Sequence, residues 1–338
     1  MSSVGQHFWH SATLALAAVA IVLLAVWTAI ALRFQAPGGA IIRGVLIAVW
    51  LAFAALALLG LYRGHAPAAS VGFALAFGVV LLWWHGLEPS NDRVWADDVA
   101  RAGSGEIHGD VATLHNVRNF DWRSNADYTP RWETRNYDLA QLNSLDMITS
   151  YWAGPAIAHV LVSFGFADGQ HVVFSVEIRR EKHEKYSELG GFFKEFELSI
   201  VAADERDVIR VRTNVRDEDD YLYRIRLPVA DMRELFVAYI GQMNELVRAP
   251  RFYNTITVNC TTLVFHMMER ILGRLPFSYQ VLLSGYLPEY VYRVGGLDQR
   301  YTLAQLRQFG RITERARQAD QSPLFSQDIR RGIPPLEP

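Results

Sequence analysis

Three long apolar runs come first along the chain. Ser11 to Leu32, Gly44 to Leu61 and Ser70 to Leu87 contain no Asp, Glu, Lys or Arg. At about 1.5 Å per residue, such helices approach the roughly 30 Å needed to cross a bilayer core. The pattern predicts three transmembrane helices, at about 11–32, 44–61 and 70–87. The alternative is a set of helices buried in a soluble protein. The length of the first run also favours an anchor over a cleaved signal peptide.

Beyond residue 90 the pattern changes to short segments in which apolar and polar positions alternate. "AHVLVSFGF" (158–166) and "QHVVFSVEI" (170–178) are separated by "ADG", which predicts a hairpin with a three-residue loop and Gly169 in the left-handed position. Three further segments have strand character, namely 195–202, 208–215 and 221–228. These alternations predict an antiparallel sheet.

Two segments have helical periodicity. Residues 229–250 are amphipathic, with Asp231 as a candidate N-cap and Pro250 as the stop. Residues 261–273 carry an apolar stripe and end at Gly273. We therefore expect an α+β fold, an antiparallel sheet with packed helices, preceded by the three membrane helices. The expected organisation is a membrane region at 1–90, a soluble domain at 91–275 and a C-terminal extension with a mobile tail at 276–338.

Charge and motifs narrow the classes of function. Residues 1–90 contain only Arg33, Arg43, Arg63 and Glu88, which leaves 30 basic and 34 acidic residues in 91–338. This near-neutral balance gives no indication of a nucleic-acid partner. The sequence contains no CxxC, HExxH, G-x-S-x-G or P-loop motif. We therefore expect neither a metal nor a cofactor.

The single cysteine lies at the start of the second predicted helix. There Cys260 would meet free backbone N–H groups and the positive end of the helix dipole, which stabilise a thiolate. A nucleophilic cysteine also needs a base within hydrogen-bond reach. The alternative is a buried structural cysteine, which is the commoner fate of a lone cysteine.

The hairpin offers a base and a partner for it. With loop 167–169, paired positions sum to 336, so His159 lies opposite Glu177 on one face of the sheet. A carboxylate there could fix the imidazole tautomer and stabilise the imidazolium. His171 pairs with residue 165 and lies on the order of 20 Å from His159. The alternative is an ordinary cross-strand pair, and a two-residue turn would place Glu177 on the opposite face.

Other residues beside the cysteine have two interpretations each. Asn259 could donate to an oxyanion, although capping of the helix is the better interpretation. Tyr253 and Asn254 could line a pocket or form a turn. The charge group formed by "DERD" (204–207), Arg179 and Arg210 is best explained as a structural ion-pair cluster.

Six motifs in order resemble a known bacterial family. They are "NVRNFDW" (116–122), "AHVLVSFGFADG" (158–169), "FSVEIRRE" (174–181), "DERD" (204–207), "LYRIRLP" (222–228) and "FYNTITVNCTT" (252–262). Over roughly residues 92–275 the set resembles the Lnb N-terminal periplasmic domain family, which is associated with lipoprotein N-acyl transfer by a cysteine enzyme in Bacteroides-type bacteria. The His-then-Cys order is similar to circularly permuted papain-like (NlpC/P60-like) enzymes, so the resemblance implies a permuted papain-like fold.

The resemblance implies roles for the residues above. Cys260 would be the nucleophile, His159 the base and Glu177 the orienting group. The protein would be a membrane-anchored cysteine acyltransferase or hydrolase, with the lipid bilayer as partner and a lipoprotein or phospholipid as acyl donor. The alternatives are a cell-wall peptidase of NlpC/P60 type and a non-catalytic membrane-tethered binding module.

Two signals indicate on which side of the membrane the soluble domain lies, and they disagree. The first turn carries two arginines and the second carries one, which favours a cytoplasmic domain. The resemblance rests on many more residues and favours a domain outside the cytoplasm. We therefore expect a multi-pass bacterial inner-membrane protein with a periplasmic soluble domain.

Overall fold

The computed structural model describes residues 3–337 and divides them into two compact units. The first contains the chain up to Pro89 together with Ser187–Glu195, and the second contains Ser90–Tyr186 and the chain from Phe196 onward. The membrane region predicted at 1–90 thus also includes a short segment from the middle of the chain.

Three helices make up most of the first unit: α1 (Ser3–Gln35), α2 (Ala40–Tyr62) and α3 (Ala66–His85). All three are long and apolar enough to cross a membrane, over Ser11–Gln35, Ala40–Tyr62 and Ala66–His85. The indole N–H of Trp50 donates to the Ala25 carbonyl oxygen at 3.2 Å. This bond joins α2 to α1 and gives the indole N–H an acceptor where a membrane would offer it no water.

The second unit is built on a mixed sheet in which the strand order is β1-β2-β9-β8-β7-β6-β10, with β5 also paired to β2. The strands are β1 (Ser104–His108), β2 (Val111–Arg118), β3 (Asp121–Trp122), β4 (Tyr128–Thr129), β5 (Trp132–Asp138), β6 (Leu142–Tyr151), β7 (His159–Phe166), β8 (His171–Arg179), β9 (Glu197–Ala203) and β10 (Asp219–Arg224). The short strands β3 and β4 pair with each other. Among these described strands, only β2 and β9 pair in parallel, through a single residue pair.

Helices cover both faces of this sheet. They are α4 (Glu205–Arg210), α5 (Val229–Arg248), α6 (Thr262–Leu272), α7 (Tyr279–Leu282), α8 (Leu287–Arg293), α9 (Leu303–Gly310), α10 (Thr313–Gln318) and α11 (Phe325–Asp328). The alternation in β7 separates two cores, since Val162 and Phe164 join a cluster with α5, whereas Leu161 joins one with α4 and α10. The α+β expectation is confirmed.

One predicted strand is a helix. Residues 208–215, expected to be extended, form the end of α4 and a π-helical turn over Val211–Val215. The Asp204 side chain caps α4 by accepting from the Arg206 N–H. Asp207 accepts a bidentate pair from Arg118. These partners from elsewhere in the chain outweigh the β-branched pattern.

The first predicted cap and the predicted boundary near 275 also differ from the structure. Helix α5 begins after Pro228, and Asp231 lies in its first turn without capping it. Residues beyond 275 contribute to both cores, for example through Leu297 and Ile329. The tail expected to be mobile contains Arg330, whose buried guanidinium binds two carboxylates.

Candidate functional site

The hairpin of β7 and β8 positions the first part of the site. Leu161 pairs with Ser175 and Gly165 pairs with His171, so the predicted register is confirmed. Gly169 has φ of 87°, the left-handed conformation that the three-residue loop needs. His159 is the first residue of β7, and the register places Glu177 opposite it. His171 lies near the loop, with its Nδ1 3.1 Å from the Gly169 carbonyl oxygen.

A serine between these two residues links them. The Nε2 atom of His159 lies 2.7 Å from the Ser175 Oγ and 3.3 Å from the Glu177 Oε1. The Ser175 hydroxyl donates to the Glu177 Oε1 at 2.6 Å. Because that donation uses the hydroxyl proton, the serine oxygen accepts from His159, and Nε2 must carry a proton. In the neutral imidazole Nδ1 is then the basic nitrogen.

The thiol lies just before the N-terminus of α6. Cys260 stands two residues before Thr262, where the helix begins, and its side chain is buried. The Asn259 Oδ1 accepts from the backbone N–H groups of Thr261 and Thr262, both at 2.9 Å. This cap fixes the backbone on both sides of the cysteine.

The three weaker candidates differ in how far their side chains are engaged in the turn before α6. The Asn259 Nδ2 donates to the Thr255 carbonyl oxygen at 2.7 Å, so both ends of that amide are engaged in the local turn. The Asn254 Oδ1 accepts from two backbone N–H groups of the same turn, Ile256 and Thr257. Tyr253, by contrast, is close to the thiol: burial raises the pKa of its hydroxyl, and the charge of Cys260 raises it further.

A buried arginine places a positive charge between two carboxylates of the site. The Arg212 guanidinium lies 3.3 Å from the Glu177 Oε1 and 3.1 Å from the Glu218 Oε2. The Ser150 hydroxyl also donates to Glu218, at 2.5 Å. The carboxylate that faces His159 is therefore held in place from a second side.

His159 and Glu177, the two titratable partners on the hairpin, each shift the pKa of the other. Burial and the Arg212 charge act to lower the pKa of His159, but Glu177 and a hydrogen bond with Cys260 outweigh them and raise it to about 9. Burial acts to raise the pKa of Glu177, but the His159 charge and hydrogen bond, with Arg212, lower it well below its ordinary value. An imidazolium facing a carboxylate is therefore the stable state near neutral pH, with the Cys260 thiol near enough to His159 to contribute to its raised pKa.

The structure brings together Cys260, His159, Glu177 and Tyr253, and keeps His171 apart. Two members of the site were absent from the sequence analysis. Ser175 lies two residues before Glu177 on the same sheet face, so the pairing rule could have found it. Arg212 could not have been found, because its segment was predicted to be a strand. Within residues 3–337, no group of three or more His, Cys, Asp or Glu side chains could hold a metal ion.

The charge group of the sequence analysis lies in the second unit as structural ion pairs. Asp207 accepts from Arg118, from the Trp122 indole N–H and from the Phe120 backbone. Glu205 accepts from Arg330 and from the Ser163 hydroxyl. Each of these carboxylates is buried and fully engaged in joining segments of the fold.

Candidate membrane helices, followed by a mixed α/β domain, define a membrane protein whose soluble domain brings a cysteine, a histidine and a glutamate together. Residues 128–285 match the model of the Lnb N-terminal periplasmic domain family, which is the family that the motifs resembled. No curated protein and no solved structure matches the chain. With its three candidate spans, the protein is an inner-membrane protein with a periplasmic soluble domain.

Proposed function

We propose that the protein is a membrane-anchored thiol acyltransferase or hydrolase that works through an acyl-enzyme on Cys260. The observation that supports this proposal best is the chain of contacts that joins His159 to Ser175, Glu177 and Arg212, with the buried thiol close enough to help raise the pKa of His159. A structural cysteine needs no imidazole beside it. A nucleophilic one needs both the imidazole and a group that orients it.

The proposed reaction has two half-reactions. The Cys260 thiolate attacks the carbonyl carbon of an ester or amide, and the bond to the leaving group breaks as the thioester forms. The protonated Nδ1 of His159 gives its proton to the leaving oxygen or nitrogen. An amine or a water then attacks the thioester, His159 takes its proton, and the carbon–sulfur bond breaks to restore the thiolate.

The remaining residues keep His159 ready for both steps. Glu177 and Ser175 hold the proton on Nε2, which leaves Nδ1 to exchange protons with substrate. The negative charge of Glu177 stabilises the imidazolium that forms in the resting state. Asn259 serves the site indirectly, by capping α6 beside the thiol.

Fatty-acyl groups of lipids or lipoproteins are the proposed donors, because three candidate membrane spans anchor the domain beside a bilayer. The test is turnover of a phospholipid and of a cell-wall peptide by the detergent-solubilised protein. We expect acyl release or transfer that iodoacetamide abolishes, that fluorophosphonate leaves intact and that Cys260→Ala lacks. Cleavage of the peptide alone would favour the peptidase alternative. A Cys260→Ala variant with unchanged turnover would refute the proposal.

A further inference from the structure

The segment between β8 and β9 packs on the membrane helices. Residues Ser187–Glu195 belong to the same compact unit as α1, α2 and α3, and we call them the interfacial loop. Its Phe193 side chain is buried. The Phe193 ring stacks on Phe34 with centroids 6.0 Å apart, and it contacts the indoles of Trp27 and Trp84 at 6.1 and 6.2 Å.

These contacts define a depth along α1. Trp27 lies eight residues before Gln35, the last residue of α1. At 1.5 Å per residue that separation is about 12 Å along the helix axis. The candidate span on this helix is Ser11–Gln35, so Phe193 lies beside the last two turns of the membrane-crossing segment. The interfacial loop therefore reaches below the end of the span.

A loop at this depth must satisfy its backbone polar groups without bulk water. The Gln35 Nε2 donates to the carbonyl oxygens of Phe193 and Lys194, at 3.0 and 2.7 Å. The Lys194 Nζ donates to the Trp84 carbonyl oxygen at 2.7 Å and lies 5.0 Å from the centre of that indole ring. The ends of α1 and α3 are thus both bonded to the loop.

The other side of the loop presents apolar side chains outward. Leu189 is 48% exposed and Phe192 is 40% exposed, while Gly190 and Gly191 between them are buried. We infer that the interfacial loop rests in the periplasmic leaflet of the bilayer, with Leu189 and Phe192 inserted among lipid chains. Continuity with the membrane helices identifies the partner as lipid, because the loop lies beside a span whose flanks are lipid-covered.

The lone cysteine makes this inference easy to test. Cys260→Ser gives a protein without cysteine, into which Leu189→Cys or Phe192→Cys is introduced and labelled with the environment-sensitive dye NBD. Val111 and Val229 of the second unit are 43% and 51% exposed, so Val111→Cys and Val229→Cys are matched controls. The full-length proteins are placed in lipid nanodiscs with and without doxyl-labelled phospholipid.

We expect NBD at 189 and 192 to emit at shorter wavelength and to lose at least half of its intensity to a doxyl group near the lipid headgroup. Dye at 111 and 229 should be little affected. Labels at 189 and 192 that behave like those controls would overturn the inference. Hydroxyl-radical footprinting of the unlabelled protein in nanodiscs gives a second test without any change in the loop. There Leu189 and Phe192 should be oxidised at least fivefold more slowly than Val111 and Val229, and equal rates would also overturn it.

Discussion

At the scale of single residues, the first prediction concerns Glu177, the carboxylate opposite His159. Glu177→Gln keeps the size and one acceptor but removes the charge that stabilises the imidazolium. We expect single-turnover acylation to slow by on the order of 10- to 1000-fold in a variant that still folds, because thiol enzymes depend less on the third residue than serine enzymes do.

His171→Gln is the matched control for this prediction. It lies on the same hairpin, but its ring contacts the Gly169 carbonyl near the loop, far from His159. Its acylation rate should stay within about twofold of wild type. A slow His171→Gln variant beside a normal Glu177→Gln variant would mean that another set of residues performs the chemistry.

The raised pKa of His159 gives a prediction about stability and pH. Its ordinary value is 6.5 and the folded value is about 9, so the imidazolium stabilises the folded protein fully below pH 6.5 and loses that effect as the pH rises through 9. The shift corresponds to on the order of 3 kcal/mol of unfolding free energy.

Melting of wild type and His159→Gln between pH 6 and 10 measures this effect. The melting temperature of wild type should exceed that of the variant at pH 6, and the gap should narrow above pH 8. A gap that stays constant over the whole range would contradict the imidazolium assignment. The Glu177→Gln variant should show a smaller change with pH, since its carboxylate provides much of the shift.

Sequence reasoning at the residue scale worked where local periodicity decides the geometry. A single hairpin loop was enough to place Glu177 opposite His159, since strand pairing follows from loop length. Ser175 lies within that same pattern. Arg212 reaches Glu177 from a helical turn that is distant in sequence, and nothing in its local pattern indicates this contact.

At the scale of elements, variants of Asn259 at the start of α6 distinguish two roles for this residue, capping the helix and donating to the substrate. Asn259→Ala removes the acceptor for two backbone N–H groups and should cost about 1–2 kcal/mol of unfolding free energy. Asn259→Asp keeps the accepting oxygen but has no amide to donate. Because the Asp variant loses only the bond donated to the Thr255 carbonyl oxygen, we expect it to melt between the Ala variant and wild type and to retain the acylation rate. Loss of acylation in a stable Asp variant would instead show that the Asn259 amide donates to the substrate.

Helix α4 shows where prediction of elements fails. Its sequence alternates like a strand, and the decision between helix and strand is made by partners more than 80 residues away. Glu205 and Asp207 both lie in the first turn of this helix, where Glu205 binds Arg330 and Asp207 binds Arg118. Those ion pairs form only if the segment is helical, so tertiary contacts override the local preference.

At the scale of the whole molecule, the C-terminal segment closes the fold. The buried Arg330 guanidinium binds Asp146 on β6 and Glu205 on α4, at 2.8 and 2.6 Å. Arg330→Ala would leave two buried carboxylates without their cation, which typically costs about 3–5 kcal/mol. We expect a melting temperature lower by several degrees. The neighbouring Arg331 is exposed, so Arg331→Ala should change it by a degree or less.

A normal melting temperature for Arg330→Ala would show that the tail is dispensable, as the sequence had suggested. The tail looked mobile because it is rich in Pro, Gly and charge, which are the usual features of a free terminus. Its actual position depends on long-range contacts, which include the Arg330 ion pairs and the bond that Arg300 donates to the Pro335 carbonyl oxygen. The membrane helices were predictable for the opposite reason, since length and hydropathy alone define a span.

The most direct test of the central claim is the intact mass of the full-length protein after incubation with bacterial phospholipid membranes. If Cys260 is an acyl-accepting nucleophile, a fraction of the wild-type protein should gain the mass of one fatty-acyl group. The modification should map to Cys260, be released by neutral hydroxylamine as a thioester is, and be absent from Cys260→Ala. His159→Gln should accumulate it at least 100-fold more slowly. Two results would contradict the acyl-enzyme account. One is an equal adduct on Cys260→Ala, and the other is wild-type protein that stays unmodified in membranes where it turns over acyl groups.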